Sequence, residues 1–133
     1  MFTWKSLVVV ALGGAIGSVA RYKIGGLVLH HTENWDFPLS TFAVNLLGCF
    51  VIGLLAAVAE HHDLFSAPVR LFLFTGLLGG FTTFSAFGYE SVYLVRRHLT
   101  GTALAYVILS VTVCLTAVLA GMKLIDVIWP WHR

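Results

Sequence analysis

The residues able to do chemistry in this chain are few, and most stand inside apolar runs where polar groups are costly. Asn45, flanked by Ala43-Val44 and Leu46-Leu47, offers two donors and an acceptor that must be met away from lipid. Two readings stand: a hydrogen bond to a neighbouring helix, or a donor lining a path for an anion. Arg21 lies one turn beyond Gly17 and shares the face of Gly13, either snorkelling to an interface or holding charge within a bundle. Residues 75–90 read Thr-Gly-Leu-Leu-Gly-Gly-Phe-Thr-Thr-Phe-Ser-Ala-Phe-Gly-Tyr-Glu. Paired Gly79-Gly80 before Thr82 and Thr83 make poor continuous helix, because glycine is costly there and threonine hydroxyls compete for backbone groups. The alternatives are a close-packing kink or a true break, whose freed carbonyls are hard oxygen ligands suited to an alkali cation. Phe84 and Phe87 follow at i, i+3 and share a face. They either pack against lipid or core, or turn their electropositive ring edges to an anion. Ser85, one turn on from Thr82, extends a hydroxyl stripe, and Tyr106 and Ser110 repeat the pattern at i, i+4. Glu90 closes the stretch and reads as an interfacial carboxylate, as Lys23 reads as an interfacial cation.

Other reactive types offer less. Cys49 and Cys114 fall in mid-run as small apolar fillers without metal-ligand spacing. His30-His31 and His61-His62 read as solvated loop pairs beside acidic residues. No nucleophile-base set, phosphate loop or nucleic-acid patch is visible, so neither an enzyme nor a nucleic-acid partner is expected.

The elements that must position these residues follow from composition. The chain has 133 residues, of which 59% are hydrophobic and only 11% charged, with a mean hydropathy of +0.91. A soluble domain this short has too little interior to hide that surface. Four stretches free of Lys, Arg, Asp and Glu appear, at residues 6–20, 37–59, 71–89 and 99–122. A bilayer core takes roughly 20 apolar residues of helix, which the last three supply outright. The first resumes beyond Lys23 and predicts a tilted helix, with no cleavage site or soluble domain after it to suggest a secretory signal. The expectation is an all-α membrane protein: one four-helix transmembrane domain over residues 1–133, with spans at about 4–29, 38–59, 69–95 and 101–128. Trp4, Trp35, Trp129 and Trp131 all fall near span ends, where amphipathic rings prefer the interface.

Charge then speaks to orientation. One side of the membrane would carry Lys5, Arg70, Lys123 and Arg133, and the other Arg21, Lys23, Arg96 and Arg97, four against four. Orientation follows a Lys/Arg imbalance, and none exists here. Such a chain predicts insertion both ways and pairing of opposite copies, unless one terminal charge outweighs the rest. Four helices also leave little room for a lined pathway of their own. Gly13-x-x-x-Gly17 and Gly76-x-x-x-Gly80 are spaced for close helix approach.

Several of these pieces occur together in one family. Gly13-Gly14-x-x-Gly17-x-x-x-Arg21-Tyr22, then Ser40-Thr41-x-x-Val44-Asn45-x-x-Gly48, then Gly79-Gly80-Phe81-Thr82-Thr83-Phe84-Ser85 with Phe87 two residues on, resemble in order the motifs of the small fluoride channels of bacteria and archaea, the Fluc or CrcB family. The likeness covers essentially the whole chain. It implies an antiparallel, dual-topology homodimer in the cytoplasmic (inner) membrane, with the third helix broken and two fluoride pathways each built from both subunits. Phe84 and Phe87 would line each path, Asn45 would donate to the ion, and Thr83, Ser85, Tyr106 and Ser110 would form its polar side. Structural sodium would sit at the dimer centre on the backbone carbonyls of Gly79 and Thr82. Arg21 and Glu90 match family positions without a firm role. Ala86 departs from the pattern, where the family often has Thr or Ser, and removes one hydroxyl from the track.

The implied activity is physically coherent. Fluoride is small and tightly hydrated, so a dry site costs more than the about 20 kcal/mol idealised for larger ions. Many weak donors in sequence repay that in steps without trapping the ion, whereas fixed arginines would hold it and admit other anions. Two rival readings belong to other classes. A small proton-coupled multidrug exporter needs an acidic residue deep in the bundle, and here Glu90 reads as lying at a span end. A purely structural membrane subunit would use Asn45 and the glycines for packing alone.

Overall fold

The computed structural model describes residues 3–62 and 64–130, with the side chains of His61 and His62 left out. Trp131 and Arg133, invoked above for an interface and a charge count, lie outside the described residues. The described chain is all helical, with four helical segments long and apolar enough to cross a membrane and no strand among them. Helix α1 (Trp4–Thr32) opens on a capping box in which Thr3 Oγ1 accepts from the Ser6 N–H and the Ser6 hydroxyl accepts from the Thr3 N–H. Helix α2 (Leu39–His62) follows a short turn. The third span, Ala67–Arg96, is composite. It consists of α3 (Ala67–Arg70), a π-helical stretch Leu71–Leu78, the single turn α4 (Gly79–Phe81) and then α5 (Phe84–Arg96). A tight turn with His98 at φ 61° leads into α6 (Thr100–Ile128).

His30 and His31 lie in the last turn of α1 and not in a loop, because nothing in residues 24–32 breaks the helix and the Thr32 hydroxyl bonds back to the Val28 carbonyl. His61 and His62 likewise belong to the end of α2.

Small residues form the seams. Gly13 packs on the π-helical backbone, where an added Cβ would stand 2.6 Å from the Phe72 carbonyl oxygen, and Gly80 faces the Gly14 carbonyl at 2.5 Å in the same sense. Gly17 abuts the Leu77 carbonyl as closely. Both spaced glycine pairs of the sequence thus serve one seam, between α1 and the third span. A second seam, unmarked by any glycine pair at that spacing, joins α2 to α6 through Gly53 against Val118 and Gly121 against Phe50 and Leu54. In the first seam the registers ascend together, Gly13 against Gly76 and Gly17 against Leu77 and Phe81, so α1 and the third span run parallel. The chain reverses after each, with Ser40 meeting Gly25 and Tyr106 meeting Glu90, so α2 and α6 run parallel as well.

The outside is apolar and the inside small. Leu12, Ile16 and Val19 are more than half exposed, while Gly17, Ala57, Ala103 and Ala117 are buried. In water that distribution would be inverted; in lipid it is the expected one, since the bilayer solvates apolar side chains and helices associate through close packing.

Candidate functional site

Gly79–Phe81 ends one helix and Phe84 starts the next, with Thr82 (ψ 158°) and Thr83 (φ −149°, ψ 117°) extended between them. Several of the backbone groups there find specific partners. The Thr82 N–H and hydroxyl both donate to the Leu78 carbonyl at 2.9 Å. Ser18 of α1 donates to the Gly80 carbonyl at 3.4 Å. Thr83 caps α5, its hydroxyl accepting from the Ala86 N–H at 3.2 Å. Asn45 grips the same residue from α2: its Oδ1 accepts from the Thr83 N–H at 2.8 Å and its Nδ2 donates to the Thr83 carbonyl at 3.0 Å. The interhelical bond foreseen for Asn45 is therefore made, to a backbone, and it spends one of the two amide hydrogens. The second remains available.

Two cavities flank this clamp, and Thr83 lines both. The larger, about 440 Å³, is walled by Asn45, Thr83, Phe84, Phe87 and Ser110 together with the thiols of Cys49 and Cys114. The smaller, about 230 Å³, is lined by Arg21, Tyr22, Ser40 and Thr41 beside Thr83. Arg21 is half-buried there, between the snorkelling and interior readings. Within the larger cavity the Ser110 hydroxyl is buried without a hydrogen-bond partner. A buried polar atom in that state is costly unless water or a ligand meets it. The rings of Phe84 and Phe87 lie 5.4 Å apart at 43°, and the contact chain continues from Phe87 to Tyr106 at 5.2 Å and from Tyr106 to Phe37 at 5.3 Å.

Other residues singled out from the sequence stand elsewhere. Tyr106 is fully buried and lines neither cavity; its hydroxyl donates to Glu90 at 2.7 Å. Glu90 takes a second bond of 2.7 Å from the Thr41 hydroxyl. The carboxylate is thus half-buried and paired among α2, α5 and α6, where the sequence suggested one snorkelling free to the interface. The reason is pairing: two hydroxyl donors offset the desolvation that would otherwise drive it to the membrane surface. Ser85 is exposed, and its hydroxyl meets that of Thr83 at 3.2 Å. The expected Thr82–Ser85 stripe does not form, because the extended pair puts those residues on different helical axes. Cys49 and Cys114, read as separate fillers, share a cavity wall. Sequence spacing could not show that meeting across two helices.

The fold and cavities define a class: a small polytopic helical membrane protein whose polar groups converge on the extended Thr82-Thr83 pair. Residues 8–122 match the family described as CrcB-like protein, Camphor Resistance (CrcB). The chain is 51% identical over 119 residues to a protein of Methylobacillus flagellatus named "Fluoride-specific ion channel FluC", an alignment covering 90% of this chain and 93% of that one. It is 49% identical over 113 residues to one of the same name from Paracoccus denitrificans, covering 85% and 88%. A third with that name, from Chloroflexus aurantiacus, is 46% identical over 120 residues, covering 90% and 94%. The chain belongs to the CrcB-like family.

Proposed function

We propose that this protein is a fluoride-selective channel, not an enzyme, which lets cytoplasmic fluoride leave passively across the cytoplasmic membrane of a bacterium or archaeon. The observation that carries this reading is family membership along nearly the whole chain, with relatives named as fluoride-specific ion channels. The site chemistry supports it. The larger cavity offers a spare Asn45 N–H, a partnerless Ser110 hydroxyl and two ring edges, all weak donors suited to shedding water in steps. Thr83 and Ser85 supply adjoining hydroxyls. Tyr106 would act on the path from behind, fixing Phe87 and Glu90 in place. Hydrogen fluoride that enters from an acidic exterior and dissociates inside would drive such a channel outward without ATP.

The working unit in this proposal is an antiparallel homodimer of two four-helix domains, with two pathways. The four-to-four charge count supports it. So does Phe84, whose ring is 82% exposed on the rim of a cavity and would be covered by a second copy. The break in the third helix would then face its counterpart. The N–H four residues beyond Gly79, that of Thr83, donates to Asn45 in place of the helical ladder. Carbonyl oxygens at such a helix end suit an alkali cation. Sodium held there by the Gly79 and Thr82 carbonyls would tie the two breaks together; Arg21 would add positive potential near the smaller cavity.

The proton-coupled exporter gains one point from the structure, since Glu90 does lie inside the bundle. Both its oxygens are already engaged by fixed hydroxyls, and the family relationship favours the channel. A direct test substitutes the exposed ring: Phe84→Ile should cut fluoride efflux from proteoliposomes by at least about tenfold, some 1.4 kcal/mol on the barrier, while the dimer stays intact. Undiminished efflux would remove Phe84 from the pathway.

A further inference from the structure

Neither thiol has a part in the fluoride reading, yet the fold sets the pair with care. Asn45, Cys49 and Gly53 succeed one another at one-turn steps along α2, and Ser110, Cys114 and Val118 do the same along α6. Gly53 lies against the Val118 carbonyl with no room for a Cβ, the closest approach in the α2–α6 seam. Because the two helices run parallel, one turn back on both keeps the register, and Cys49 comes to face Cys114. Both side chains are half-buried, and both line the cavity of about 440 Å³, which gives an ion a route to them.

We propose that Cys49 and Cys114 form a two-thiol site for a thiophilic divalent d10 cation, of which the mercuric ion is the best fit. Thiolates select soft ions, and mercury accepts two sulfurs in a linear arrangement. Zinc prefers four ligands, and no group of three His, Cys, Asp or Glu capable of holding a metal occurs among the described residues. Charge favours mercury over a monovalent ion. Each thiol gives up its proton to water, both Sγ atoms bond to the ion, and the product is neutral. Neutrality matters in an apolar wall, where a net charge is expensive. The ion would join α2 to α6 one turn from Asn45 and Ser110. The site does not depend on what the channel conducts.

The test uses the purified full chain in detergent, with mercuric acetate as the probe and imidazole buffer to occupy histidine-bound metal. Native mass spectrometry should show one mercury per chain, with loss of two protons and of both free thiols. A millimolar monothiol should strip mercury at least about tenfold more readily from Cys49→Ala and Cys114→Ala than from the unmodified protein, since only the pair has the effective concentration of a chelate. Cys49→Ser and Cys114→Ser, closer in volume, repeat the comparison if either alanine variant fails to fold. Two mercury ions per chain at thiol saturation, or single variants that hold mercury as well as the pair, would overturn the site.

Discussion

Asn45 spends most of its amide on a backbone. It accepts from the Thr83 N–H and donates to the Thr83 carbonyl, so the extended residue is held as a neighbouring strand would hold it. Asn45→Leu would leave both groups unpaired in a half-buried position and should cost about 1–3 kcal/mol of stability, read as a lowered thermal midpoint in detergent. An unchanged midpoint would mean that water replaces the amide without loss. Residue types were legible from the sequence here, while partners were not. An amide in an apolar run announces a need for hydrogen bonds, but the chain separates Asn45 from Thr83 by 38 residues. Glu90 shows the same limit. Its place at the end of an apolar run pointed to the interface, and only the folded chain brings Thr41 and Tyr106 to its two oxygens.

At the scale of elements, charge-free runs and their lengths reveal the helices, because lipid forbids unpaired backbone and rewards uninterrupted apolar sequence. The glycine pairs of α1 and the third span were legible for a related reason: residues four apart share a face. The α2–α6 seam was not legible, since Gly53 and Gly121 have only alanines, Ala57 and Ala117, at that spacing, and alanine pairs are common in apolar helices. Nor does anything in residues 71–78 announce π-helical winding, which depends on how that backbone settles against α1. Gly17→Val should be severe, because the atom it would strike is the backbone carbonyl of Leu77, which cannot swing aside. A loss of about 3 kcal/mol or more, seen as failure to purify a monodisperse protein, is the expected outcome. Gly101→Ala meets nothing within 4 Å and should leave the protein as stable or slightly more so, by less than about 1 kcal/mol. Equal tolerance at both positions would contradict the seam.

The whole molecule presents an apolar exterior, a charge balance without a preferred side and a cavity whose rim carries an exposed phenylalanine. Together these support a unit larger than one chain. If sodium joins two helix breaks at the centre of that unit, replacing it with a large organic cation should shift the population toward monomers or abolish activity, as followed by single-molecule counting and flux. Indifference to the exchange would tell against the carbonyl site. The most direct measurement is fluoride efflux from proteoliposomes holding the purified protein, with chloride efflux followed in parallel. Rapid loss of fluoride needing only a charge-balancing ionophore, with chloride retained, is the predicted result. A correctly folded protein that passes no fluoride, or releases chloride as fast, would contradict the channel reading.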